Sequence, residues 1–320
     1  MKHPIKILSP SRSYAMTKAQ IEAGADEIYL GVDYGDYDLF SFGGRYKKIN
    51  HTRTQLTGIE ELQKNAKYCK EHGVTLQVTA NMHYIPPEFE DEYLAFVKEC
   101  VQCGVDQIII SNIGLLKRVA ALDLPVQLVA GSFTFIPNSE MVKYLRSLGA
   151  MRVVLPHAAT IQEIETIKNA CPDMEMEIFA LMGGGNNCGR CMMFHSPVRK
   201  DIGPGCRAHY DVVYCGESYP DANILDAAAD CSLCSMRDLI RVGADSLKIV
   251  GREAKNEKVA SKFTEVFYQY RHGVETGLTD AEIKNQLSKH ELAWELIWKK
   301  RFCENKKCKF HKTEVVASYI

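Results

Sequence analysis

A chain of 320 residues with 46% apolar and 25% charged side chains is long enough to bury a large core as one α/β domain or two. Its formal net charge of −1 excludes a global field drawing it to nucleic acid or anionic membrane, though not a local basic face. The opening "MKHPIKILSP" lacks the apolar region of a secretory leader, and no stretch nears the ~20 apolar residues of a membrane span, so a cytoplasmic protein is expected.

In chain order, "IKILSP" reads as a strand, "SYAMTKAQIEAG" as a helix ending at Gly24, and "DEIYLGV" as a second strand. The alternation recurs. "IEELQKNAKYCKEHG" leads to "VTLQVTAN", "EFEDEYLAFVKECVQCG" to "VDQIIISN", and "GLLKRVAALDL" to "PVQLVAGS". "NSEMVKYLRSLG" then leads to "AMRVVLP", "TIQEIETIKNACP" to "MEMEIFALM", and "SMRDLIRVG" to "ADSLKIVG". Each strand is short and apolar, and each helix is amphipathic with glycine or proline near its end. Such alternation requires parallel strands joined by right-handed crossovers. Eight strands on this length predict an α/β protein with a (β/α)8 TIM-like barrel, irregular where a Cys-rich insertion interrupts it after strand seven. A doubly wound sheet is the rival, but no G-x-G-x-x-G follows the first strand. The barrel is assigned to residues 1–275, including the Cys-rich loop 183–234, and 276–320 to a helical, basic C-terminal extension.

Barrels of this kind place their chemistry on the loops after the strands. Arg12, Arg45, Asn81, His83, Asn112, Ser132, His157 and Arg252 are therefore expected on one rim, together with the loop "GGGNNCGRCMMFHS".

Twelve cysteines are many for a chain without an export signal, which favours metal or catalytic use over disulfides. Cys69, Cys100, Cys103 and Cys171 lie in or beside helical patterns and read as small buried hydrophobes. The Cys-x2-Cys pairs Cys188/Cys191 and Cys231/Cys234 bracket Cys206 and Cys215, and each pair lets two thiolates reach one metal from a single turn. An iron–sulfur cluster, structural zinc and a thioredoxin-like dithiol all use such pairs. The dithiol leaves the remaining cysteines unexplained, and closed zinc sites are more compact than this spread of residues. In the tail, "CENKKCKFH" offers Cys303, Cys308 and His311 for a second metal or as an ordinary basic end.

The stretches "MEIFALMGGGNNCGRCMMFHS", "GPGCRAHY" and "CSLCSMRDLIRVGADSLKIVGREAKNEKVASKF" resemble the collagenase-like peptidases of unassigned mechanism, peptidase family U32. The resemblance extends over nearly the whole barrel, from "ILSPSRSYAMTKAQIEAGADEIYLG" onward. It implies relatives acting in oxygen-independent hydroxylation, in tRNA or ribosomal RNA modification or anaerobic ubiquinone synthesis, several with a 4Fe–4S cluster on four cysteines. Carried over by position, Glu177 and Phe179, Gly189 and Cys191, Cys206 with Arg207 and Tyr210, Cys231, and Lys248, Ile249, Gly251 and Arg252 match the family pattern. The family's first cluster cysteine falls at Gly184, an arginine after strand six is His157, and a glutamate before Gly251 is Val250. The resemblance implies Cys191, Cys206 and Cys231 as cluster ligands, with Cys188 the expected fourth and Cys234 in reserve; Cys303 and Cys308 stay, on the tail residues alone, a possible second metal or cluster site.

The function expected is an iron–sulfur protein of oxygen-independent hydroxylation or related redox modification of a small molecule or RNA base. Arg45, Arg207 and Arg252 are candidates to hold an anionic donor or substrate. His157, His195 and His209 are candidate proton donors. A heteromeric partner of the same family is expected, and neither membrane nor DNA is. The alternatives are a peptidase, for which neither H-E-x-x-H nor G-x-S-x-G is found, and a non-enzymatic iron–sulfur redox protein.

Overall fold

The computed structural model describes residues 4–34, 40–42, 48–49, 52–181, 210–222, 231–252, 254–290, 294–305 and 308–310. Eight parallel strands close into a barrel in which each strand pairs with its neighbours in sequence and the last returns to the first. They are β1 (Lys6–Pro10), β2 (Glu27–Leu30), β3 (Thr75–Ala80), β4 (Gln107–Ile110), β5 (Gln127–Ala130), β6 (Ala150–Val154), β7 (Glu175–Leu181) and β8 (Ser246–Ile249). The fold is the (β/α)8 barrel expected from the alternation, with register shifts in the β5–β6 and β7–β8 pairings. Between β7 and the helix before β8 comes the Cys-rich insertion, of which a hairpin, Tyr210–Tyr214 with Glu217–Ala222, is described.

Helices α1 (Tyr14–Glu22), α2 (Gly58–Glu71), α3 (Glu90–Gln102), α4 (Ile113–Ala120), α5 (Ser139–Ser147), α6 (Ile161–Ala170), α7 (Met236–Val242) and α8 (Glu257–Glu275) surround the strands. Polar caps fix where several begin. Ser13, Asn112, Asn138 and Asn256 each accept the amide of the residue three further on, and Thr160 with Glu163 forms a capping box. Since a cap closes the loop after its strand, these residues also set the reach of the rim loops.

Alternate residues of a strand face opposite sides, so one set packs outward on the helices and the other fills the barrel. The outward set, including Ile28, Leu76, Ile108, Val153, Ile178 and Leu247, joins the main core. Inside, the upper layer is apolar, made of Ile109, Val129, Val154, Phe179 and Val250. The lower layers are charged. Arg152, fully buried, donates to both oxygens of buried Glu27 at 2.8 Å and to Glu175 at 2.7 Å, and lies 3.5 Å from Glu177.

Burial alone would raise the Glu27 carboxyl, but the hydrogen bonds and charge of Arg152, then Lys6 and Ser246, hold it below the usual range. A carboxyl depressed in the folded state contributes stability above its unfolded pKa of about 4.3 and loses it as pH falls through the folded value. Thermal melts should therefore show stability falling on acidification below about pH 4.3, and Glu27→Gln should flatten that acid limb. An unchanged limb in the variant would contradict the assignment.

The helical extension follows α8 as α9 (Asp280–His290) and a π-helix, Trp294–Cys303. Ile283, Leu287, Trp294, Trp298 and Phe302 belong to the same buried core as the barrel. No helix among the described residues is long and apolar enough to cross a membrane.

Candidate functional site

Charge at alternate positions of otherwise apolar strands leads from the barrel floor to its mouth. Glu177 on β7 pairs with the Lys248 ammonium on β8 at 2.7 Å. Burial pushes the Lys248 ammonium down, and Glu177 pulls the other way. That ammonium sits 4.3 Å from the centre of the Tyr29 ring, whose hydroxyl donates to the Ile249 carbonyl at 3.0 Å. The Arg252 guanidinium, just beyond β8, lies 5.6 Å from the same ring. Tyr29 thus has two cations of one strand end within cation–π range of its ring.

Around the rim, Arg12 donates to the carbonyls of Arg252 and, at 2.7 Å, of Ala254, tying the loop after β1 to the loop after β8. Arg12 and Arg53 line a cavity of about 310 Å³ with Ser13, Gln55, Leu56, Thr57 and Glu61. Across the mouth, Asn81 and Ser111 are hydrogen-bonded, and Asn112 donates to the His83 carbonyl at 3.0 Å. His157, after β6, is buried with its ring 6.0 Å from Phe179. A Cβ on Gly31 would come 2.8 Å from the Arg252 guanidinium and 3.1 Å from Gln55 and Thr79, so a side chain there would displace the end of that arginine.

The thiols enter beside β7. Leu181, its last residue, forms an isolated bridge with Cys231, and Ser232 donates to the Ala180 carbonyl at 2.9 Å. Val250 donates to the Leu181 carbonyl at 3.1 Å, so Cys231, the end of β7 and the approach to Arg252 adjoin. Cys231 is buried, Cys234 and Cys308 half-buried, and Cys303 and Cys215 exposed. Sulfur donors of this kind suit a soft metal, iron or zinc.

Of the residues expected at the site, Arg12, Asn81, His83, Asn112, Ser132, His157, Lys248, Arg252 and Cys231 lie at or near the strand ends. Arg45, Cys188, Cys191, His195, Cys206, Arg207, His209 and His311 lie outside the described residues. Arg152, Glu27, Tyr29 and Arg53 were not singled out from the sequence. For Arg152, Glu27 and Tyr29 the signal is a charged or tyrosyl residue in an apolar strand, as in "AMRVVLP" and "DEIYLGV"; Arg53, in the polar stretch "HTRTQ", carries no such signal.

The family model of peptidase family U32 matches residues 12–307. The chain belongs to this family. Its U32 relatives include the 23S rRNA 5-hydroxycytidine C2501 synthase of Escherichia coli, 28% identical over 263 residues, covering 78% of this chain and 37% of the relative. Another is the tRNA hydroxylation protein P of Escherichia coli, 26% identical over 255 residues, covering 76% of this chain and 52% of that protein. The chain thus spans about half the length of these relatives or less. Among solved structures, a dihydrodipicolinate synthetase-type protein of Pseudomonas aeruginosa superposes with a TM-score of 0.50 at 9% identity, covering 91% of this chain and 84% of its own. At that identity the likeness is one of fold.

Proposed function

We propose that this U32 protein carries a 4Fe–4S cluster at the barrel mouth and acts in oxygen-independent hydroxylation, or a related redox modification, of a small molecule or RNA base. The observation that carries the reading is the adjacency at β7 and β8: a thiol-bearing rim beside the buried cations Lys248 and Arg252. The hydroxylation named for the two Escherichia coli relatives supports the reaction class. Cys188, Cys191, Cys206 and Cys231, with Cys234 in reserve, would hold the cluster, which would supply one-electron chemistry.

The chain's own residues do the rest. Arg12, Arg53 and Arg252 hold an anionic substrate group, such as phosphate or carboxylate, by charge-assisted hydrogen bonds, with Arg45 and Arg207 as further candidates. Tyr29 lies beside both Lys248 and Arg252, and Glu177 offsets the charge of Lys248 beneath them. His157, buried beside the apolar upper layer, holds a proton at its imidazole close to where substrate enters. The layer of Ile109, Val129, Val154, Phe179 and Val250 keeps water out from beneath. A partner of the same family is proposed to complete the substrate site. Iron and acid-labile sulfide analysis of protein purified without oxygen tests the reading.

A further inference from the structure

Among the described residues no three His, Cys, Asp or Glu side chains stand grouped to hold a metal ion, the tail cysteines Cys303 and Cys308 included. A different kind of site lies on the rim, in the cavity of about 310 Å³ between the start of α1 and the start of α2. Ser13 and Thr57, the N-caps of the two helices, both line it, with Arg12 and Arg53 beside them. The two helix ends differ. The Ser13 hydroxyl accepts from the Met16 amide, whereas Thr57 makes no such cap and its hydroxyl accepts from Arg53 at 3.3 Å. The first-turn amides of α2 therefore still call for an acceptor. Gly58 heads that helix at φ +81°, where a Cβ would meet nothing within 4 Å, so the way to those amides is open.

Gln55 adds a contact of the opposite kind. It is 6% exposed and lines the cavity; its side-chain amide donates to the Ser41 carbonyl at 2.9 Å, while its Oε1 accepts no hydrogen bond. A buried amide oxygen in that state is costly unless a water or a ligand donates to it. Glu61, on the same wall, lies 3.6 Å from Lys64, which offsets its charge toward an anion, and Asp33 shares Arg53 at 3.5 Å.

We propose that this cavity is a subsite for the phosphate monoester of a small polyol, of the sugar-phosphate class. The inference rests on the reading that rim arginines hold an anionic substrate group, and it names that group and its bearer. A monoester presents three terminal oxygens, enough for Arg12, Arg53 and the α2 amides together, whereas a carboxylate presents two in one plane. A hydroxyl near the ester donates to Gln55 Oε1, so the arginines read the charge and Gln55 reads the polyol. A cavity of about 310 Å³ stands at the small end of ligand sites, which suits a short polyol.

The test is calorimetric titration of the full chain, purified without oxygen, with glycerol 3-phosphate, propyl phosphate, malate and a trinucleotide lacking a terminal phosphate. Glycerol 3-phosphate should bind about tenfold tighter than each of the others. Arg53→Met, at a half-exposed position, should weaken it about tenfold or more. Gln55→Leu should bring it down to the level of propyl phosphate, whose own affinity stays unchanged. The Ser41 carbonyl keeps the Thr79 hydroxyl at 3.1 Å in that variant, and the propyl phosphate comparison in the unaltered chain needs no variant at all. Propyl phosphate matching glycerol 3-phosphate, no binding of either, or an Arg53 variant that binds as before would each overturn the site. Malate or the trinucleotide binding as tightly, and weakened in the Arg53 variant, would overturn the phosphate monoester and uphold the anion-holding arginines. Glycerol 3-phosphate bound by a chain without iron or sulfide would uphold the site and overturn the iron–sulfur reading instead.

Discussion

Replacing Arg152 with methionine is expected to lower the unfolding free energy by about 3–5 kcal/mol, because it takes the bidentate partner from the buried Glu27 carboxylate, whereas Glu177 keeps Lys248. Glu27 has no exposed surface and receives two of the Arg152 hydrogen bonds, and Glu177 is equally buried. Methionine approximates the volume but supplies neither donor nor charge. Glu27 keeps the Ser246 hydroxyl at 2.7 Å and Lys6 at 3.3 Å, which together do not replace a bidentate guanidinium. The double variant Glu27→Gln with Arg152→Met should recover part of the loss, since a neutral pair carries less desolvation penalty than an orphaned charge. Urea melts of the three proteins decide it. A loss below about 1 kcal/mol in the single variant would mean that the interior charges are hydrated rather than paired.

The second large effect lies in the C-terminal segment. Trp298→Ala should cost about 3–5 kcal/mol, the range for deleting a large buried aromatic. Trp298 is 2% exposed, with ring centres 5.7 Å from Phe263 and 5.6 Å from Phe267 on α8, and 5.4 Å from Phe302. Because α8 packs on α1 and on β1, the loss should appear in the main unfolding transition and not as a separate event. An unmoved main transition with early release of the tail would show the segment to be an independent appendage. The variant should also open the tail near Cys303 to protease, since Phe302 loses its packing partner.

The strands and helices were legible because each unit carries a local signal. "VDQIIISN" and "VTLQVTAN" are apolar runs bounded by glycine or a polar cap, and eight such units leave few topologies open. The charged floor was not legible in the same way. Arg152 and Glu27 lie far apart in the chain, and a single arginine in "AMRVVLP" does not name the carboxylate it meets across the barrel. The rim followed from the fold, which places Arg12, His157 and Arg252 without any contact being known beforehand. The cysteines show the limit most clearly. Spacing groups Cys231 with Cys234, and family resemblance groups it with Cys191 and Cys206. The bridge to Cys308 depends on the tail folding back over β7, which no local pattern encodes.

The central claim, a U32 barrel bearing an iron–sulfur centre at its mouth, is tested most directly by iron and sulfide content with electron paramagnetic resonance after reduction, on protein purified without oxygen. About four iron and four sulfide per chain are predicted, with a reduced-cluster signal that Cys191→Ser abolishes. A folded chain that holds neither iron nor sulfide and gives no signal would contradict it.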